Sequence, residues 1–189
     1  MRRRTTVDTT RRRLLLGAVT AASLPLAGCS GSTERPSPIS LAGEYSCDQC
    51  GMVIDQQPGP SGQTYYREHS VEGHDPPARF CSTICVYRHR FAMSKQGWKP
   101  QVTYLTDYAT VEYTISEAGD ARVISAHLDA GAFAPTETLD VVAGTEIEGA
   151  MGPALIPFSD ADKAESFAST HGGEVLAAEN ISQELVARR

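Results

Sequence analysis

Cys47-Asp48-Gln49-Cys50-Gly51-Met52 and, thirty residues further on, Phe80-Cys81-Ser82-Thr83-Ile84-Cys85-Val86-Tyr87-Arg88-His89-Arg90-Phe91 are the segments on which the reading of this 189-residue chain turns. In the first, a Gly directly after the second Cys has the form of a metal knuckle, where backbone and ligands fold round an ion. Met52 adds a thioether to the thiolates, a soft donor set suited to Cu(I). A redox Cys-x-x-Cys of the thioredoxin kind opens a helix after a strand. Here Met52-Val53-Ile54 continues as an apolar, β-prone run that breaks at Gln57-Pro58-Gly59-Pro60, so the pattern predicts a strand-loop-strand hairpin. In the second segment, apolar residues at 80, 84, 87 and 91 follow the helical period. Cys81 and Cys85 then share a face in the first turns, where the helix dipole lowers a thiol's pKa. His89 extends the stripe and is expected to face solvent. A knuckle followed by Phe-Cys-x3-Cys at a helix start looks like a treble-clef site, which commonly holds Zn(II) in four thiolates. Copper, zinc and two disulfides are all open to these four cysteines.

Outward from the cysteines, Gln63 to Ser70 alternates loosely as a strand, with His69 either reaching the metal site or facing water. Gly73 and Pro76-Pro77 break the following loop. Gln101 to Tyr108 is the next strand, which makes residues 41–100 a ββαβ unit that this strand closes or bridges. Residues 101–182 read as a second such unit. Ala121 to Ala126, Thr138 to Val142 and Ala154 to Phe158 are extended, and Ser159 is expected to N-cap a helix that stops at Gly172-Gly173. His171, in its last turn, suits the dipole as an imidazolium. Glu174 to Leu176 returns as a strand, Ile181 to Val186 is a short helix, and 183–189 ends the chain as a tail. The class is α+β, two small ββαβ units of treble-clef type without an alignable repeat. Met151 lies within Gly149-Ala150-Met151-Gly152-Pro153, where it either fills a gap, as Met often does, or serves as a thioether ligand on a glycine-hinged loop.

Thr10-Arg11-Arg12-Arg13-Leu14 opens an apolar stretch to Leu26, too short to span a bilayer, so residues 1–28 read as an export signal of twin-arginine type. Leu26-Ala27-Gly28-Cys29 resembles a lipobox, with Cys29 lipidated as the new N-terminus. Residues 29–40, rich in Ser, Gly and Pro, form a flexible tether. Residues 29–189 carry eleven Lys or Arg against twenty-two Asp or Glu, a net charge of −11. That balance argues against nucleic acid and favours cations or a saline milieu. Two other classes fit the same cysteines. One is a structural zinc module. The other is a thiol enzyme, either a dithiol oxidoreductase or a carbon-metal lyase with Asp48 as proton donor, although an Asp between knuckle cysteines is usually a solvated loop residue.

Cys47-x2-Cys50-Gly51-Met52, the helix at 80–91, Thr106-Asp107-Tyr108, Met151 to Ser159 and His171-Gly172-Gly173 together resemble the NosL family, accessory lipoproteins of nitrous oxide reductase in denitrification. The resemblance spans roughly 41–182. It implies paired ββαβ domains, no catalytic step, and Cu(I) carried on the extracytoplasmic face of the membrane to the reductase or its assembly factors. Carried over by motif, Cys50 and Met151 are the expected thiolate and thioether ligands. Cys81 departs from many relatives by completing a four-cysteine set. Cys47, Met52 and His69 are candidates for a third copper ligand, and shared copper would also permit a homodimer.

Overall fold

The computed structural model describes residues 35–188. The export signal, the lipidation expected at Cys29 and the first residues of the tether lie outside the described residues. In chain order the structure runs β1 (Gly62–Tyr66), β2 (Ala78–Phe80), α1 (Thr83–Ser94), β3 (Pro100–Thr106), β4 (Ile115–Ala118), β5 (Ala121–Ile124) and β6 (Phe133–Pro135). It continues through β7 (Asp140–Ala143), β8 (Ile147–Gly149), β9 (Gly152–Pro153), β10 (Ile156–Phe158), α2 (Ala161–His171), β11 (Glu174–Ala177) and α3 (Gln183–Ala187). The expected α+β class holds.

One sheet has the order β2-β1-β3-β6 and another β10-β7-β11, both with antiparallel pairs. In each, the first strand of a ββαβ run is central, and the helix connects the second strand to the third. A third sheet, β4-β5-β8-β9, includes a strand, β4, that the sequence pattern did not reveal. Burial of Phe80, Ile84, Val86, Leu105 and Leu41 builds one core, and Tyr108, Ile147, Ile156, Phe158 and Phe167 build the other. Helix α1 crosses β1 closely enough to require Gly62. A Cβ there would lie 2.7 Å from a Val86 methyl and 2.8 Å from the Tyr104 carbonyl oxygen. The end of the chain returns to this first core. Ile181 and Val186 are buried in it, and the Tyr87 hydroxyl donates to the Ala178 carbonyl at 2.6 Å.

The repeat that eludes alignment is present in the hydrogen bonds. In the first run, Asp48 N–H donates to the Arg79 carbonyl (2.9 Å) and a carboxylate oxygen of Asp48 accepts from Arg79 N–H (2.6 Å). In the second, Tyr108 N–H donates to the Pro157 carbonyl (2.9 Å), the counterpart of the Asp48 backbone bond, while the Asp107 carboxylate, one residue earlier, accepts from Ser159 N–H (2.9 Å), a carboxylate bond the first run does not have at that position. Strands β2 and β10 both end in Phe, and the N-caps Ser82 and Asp160 each follow two residues later. By this register Cys81 and Cys85 correspond to Ser159 and Lys163. Lys163 Nζ donates to the Ala109 carbonyl at 2.6 Å, so an ammonium stands where the first run has a thiol.

Four expectations need correction. His89 is buried, its Nδ1 lies 2.9 Å from the Tyr66 hydroxyl and its ring packs on Phe80. The stripe it shares with Cys85 faces the core. Helix α1 begins at Thr83, with Ser82 Oγ accepting from Cys85 N–H at 3.0 Å, so Cys81 precedes the helix. Asp160, one residue beyond Ser159, caps α2 through its carboxylate on Lys163 N–H. Burial lowers the pKa of His171, whose Nδ1 has no hydrogen-bond partner among the described residues, which favours the neutral imidazole over the expected imidazolium.

Candidate metal centre

The knuckle closes through short-range bonds. Cys47 N–H donates to the Met52 carbonyl and Gly51 N–H to the Cys47 carbonyl, both at 2.8 Å, with a single bridge between Ser46 and Val53 in place of longer strands. Gly51 has φ +77°, a left-handed conformation that glycine adopts without a Cβ clash. The two-handed contact of Asp48 with Arg79 then fixes the knuckle to β2, two residues before Cys81. Asp48 is thus a positioning residue, not a solvated loop carboxylate. Its other oxygen lies 2.9 Å from His74 Nε2, and the Arg79 guanidinium sits 4.3 Å over the Tyr45 ring.

These contacts bring Cys47, Cys50, Cys81 and Cys85 together, with all four sulfurs within 4.8 Å of one another. Cys50 and Cys81 are 3.4 Å apart, Cys81 and Cys85 3.8 Å. A tetrahedral ion with metal–sulfur bonds of about 2.3 Å holds its ligands about 3.8 Å apart, so the cage fits a four-thiolate site. Cys47, Cys81 and Cys85 are buried; Cys50 is exposed. Hydrogen bonds from Cys81 and Cys85 hold the Cys47 thiol far below its ordinary range. The same bonds, together with burial, push Cys81 well above it and Cys85 up to about 12. One negative charge is therefore easily accommodated, and further thiolates need a cation to neutralise them.

Met151 sits at the tip of the tight hairpin of β8 and β9, in which Gly149 pairs with Gly152. This tip presses against the 58–60 loop. A Cβ on Gly59, whose φ is +92°, would lie 2.7 Å from Gly149 Cα. The Pro60 carbonyl in turn accepts from Thr83 N–H at 3.1 Å. Met151 consequently borders a narrow crevice with Pro60, Ser82 and Thr83, at the end of α1 where Cys81 precedes the helix and Cys85 lies in its first turn. It is half-buried and packs on the first core, as does Met52. His69 is not brought to the cage; it is exposed and stacks on Trp98 with ring centroids 4.7 Å apart. The histidine near the knuckle is His74, which sequence reasoning passed over along with Arg79. Neither carries a local signal, because both act through contacts formed only after folding.

Among the described residues no helix is long and apolar enough to cross a membrane. A family model described as NosL matches residues 38–186. Among similar proteins, the copper-binding lipoprotein NosL of Stutzerimonas stutzeri is 29% identical over 164 residues, covering 85% of this chain and 76% of the relative. That of Achromobacter cycloclastes is 27% identical over 179 residues, covering 93% and 84%. The crystal structure of the copper chaperone NosL from Shewanella denitrificans superposes with a TM-score of 0.59 at 23% identity, over 79% of this chain and 98% of that one. It supports the fold.

Proposed function

Because the chain belongs to the NosL family, we propose that it is an exported, lipid-anchored Cu(I) chaperone serving the copper centres of nitrous oxide reductase, directly or through an assembly factor. The observation that carries this reading is a cluster of four sulfurs with Cys50 alone exposed. Buried thiolates supply soft ligands that retain Cu(I), and an incoming ligand can attack from the Cys50 side. Met151, at the mouth of the same helix end, offers a neutral thioether that binds without releasing a proton and leaves easily. Transfer then proceeds by ligand exchange, with no covalent bond made or broken in a substrate, and Cu(I) is cargo. Anchorage through Cys29 would keep this exchange on the extracytoplasmic face of the membrane.

The reading is tested by loading the reduced protein with Cu(I) anaerobically and mixing it with copper-free nitrous oxide reductase. Copper appearing in the reductase, in preference to an unrelated copper-free protein, supports the role, and no transfer overturns it. The sulfur spacing favours one second reading, a resident Zn(II) held by all four thiolates. In that case the protein would carry one Zn(II) per chain, and its chelation would unfold the first ββαβ run.

A further inference from the structure

An acidic protein whose one long stretch free of carboxylates within residues 29–189 runs from β2 through α1 to β3 has an electrical polarity. From Pro76 to Thr106 there is no Asp or Glu, while Arg79, Arg88, Arg90, Lys95 and Lys99 fall within that span. Elsewhere in residues 29–189, six Lys or Arg stand against twenty-two carboxylates. Helix α1 gives this polarity a direction. Its first turn carries Cys85, whereas its C-cap is Lys95, ten residues and about 15 Å further along. The strands agree with the helix. Gly62 pairs with Phe80 and Leu105 at the sulfur end, and Arg67 N–H donates to the Lys99 carbonyl at 3.1 Å at the other. Arg67 and Lys99 line an open cleft there with Glu68, His69 and Gly97. None of Arg67, Lys95 and Lys99 has a carboxylate within ion-pair distance among the described residues. Beside them Trp98 is half-buried, its ring against Tyr66 and His69.

The tether says how near a membrane this pole would be. The Ser37 and Pro36 carbonyls accept from the hydroxyls of Tyr65 and Tyr104, which fixes the start of the folded chain on β1 and β3. Tyr65 is two residues from Arg67. Eight residues separate Ser37 from Cys29 and span at most about 28 Å fully extended. A lipid on Cys29 would therefore hold β1 and β3 within that reach of the headgroups, and one face of the protein must lie close to them. Negative headgroups attract Lys and Arg and repel the acidic remainder, at on the order of fivefold in partitioning per cation. Tryptophan settles at the headgroup level because its ring is apolar and its N–H is polar.

We propose that the pole of Arg67, Lys95, Trp98 and Lys99 rests on an anionic phospholipid surface and directs the sulfur cluster, at the opposite end of α1, away from the membrane toward its partner. The proposal rests on lipidation at Cys29.

Trp98 is the sole tryptophan of the chain and reports on this contact directly. The mature lipidated protein is reconstituted on phosphatidylcholine vesicles with and without phosphatidylglycerol at low salt. Flotation reads the anchor; acrylamide and brominated-lipid quenching of Trp98 read the contact. The expected result is several-fold protection from acrylamide, with quenching by brominated lipid, on the vesicles containing phosphatidylglycerol only. High salt should reverse it. A Lys95→Glu/Lys99→Glu variant should float and bind Cu(I) as the parent does, yet lose the protection, and Lys95→Glu alone should lose part of it. Protein that floats with Trp98 equally open to acrylamide on both vesicles overturns the docking and leaves the anchor standing. Protein that does not float overturns the anchor, and the docking with it.

Discussion

Replacing Asp48 with Ala removes the carboxylate that ties the knuckle to β2, and the structure sets the size of the effect. The side chain is 14% exposed, accepts from Arg79 N–H at 2.6 Å and meets His74 with its second oxygen. A hydrogen bond to a charged group contributes about 1.5–3 kcal/mol, and the abandoned Arg79 N–H adds to the cost. A loss of about 2–3 kcal/mol follows, which for a domain of this size lowers Tm by about 4–12 °C. Where that loss is felt locally, metal binding must re-order the knuckle, so Cu(I) affinity falls by about 30- to 140-fold at about 1.4 kcal/mol per decade. Asp48→Asn, which keeps one acceptor oxygen, should fall between. The assay pairs a thermal melt of the apo protein with anaerobic competition against a Cu(I) chelator. If Asp48→Ala melts and binds as the parent does, the knuckle is not held by this contact and the assembly of the cage has been misread.

Asp107→Ala removes a buried carboxylate that ties the second run to the end of β3; it is 2% exposed and accepts from Ser159 and Ala109 N–H. It should cost about 2–4 kcal/mol of stability in a denaturant melt but leave Cu(I) affinity unchanged, and an equal loss of affinity would show that this carboxylate also supports the sulfur cage. Gly59→Ala forces a Cβ against Gly149 Cα at a left-handed φ, so it should push the Met151 hairpin away. Destabilisation of about 1–3 kcal/mol with weaker Cu(I) binding is expected, and wild-type binding would show that the Met151 tip is dispensable. Metal binding should also depend on pH. Hydrogen bonds to Cys47 and burial raise the pKa of Cys81 and Cys85 and so favour their thiol forms, whereas the bonds from Cys81 and Cys85 lower that of Cys47 and favour its thiolate. Engaging the raised thiols releases protons, and Cys81 and Cys85 together account for about two of them, so affinity should rise with pH between about pH 6 and 8. Calorimetry in two buffers of different ionisation enthalpy counts them, and a flat profile would exclude both thiols from the site.

The parts legible in the sequence are those carried by local pattern. A glycine after Cys50, an apolar period over 80–91 and glycines on either side of Met151 each encode a turn, a helix or a hairpin tip within a few residues. What escaped depends on distant chain. The periodic stripe placed His89 correctly relative to Cys85, but not which side of α1 the core would occupy, and the buried Tyr66 hydroxyl that receives it is 23 residues away. Ser159 and Asp160 are both good caps, and only the folded backbone chooses between them. The likeness of the two runs escaped because what they share is a backbone bond, Asp48 to Arg79 in one and Tyr108 to Pro157 in the other, while Ser159 and Lys163 stand where the first run has Cys81 and Cys85. Asp48 shows the same limit. A carboxylate between two cysteines looks solvated until β2 arrives beside it.

The central claim is that sulfur from separate stretches of chain grips Cu(I) jointly, and it is tested most directly by anaerobic Cu(I) titration of the reduced protein against a competing chelator, alongside Cys50→Ser and Met151→Leu. Each substitution is predicted to weaken binding by about tenfold or more, the worth of one lost soft ligand at about 1.4 kcal/mol per decade. Parent-like affinity in both variants would contradict the claim.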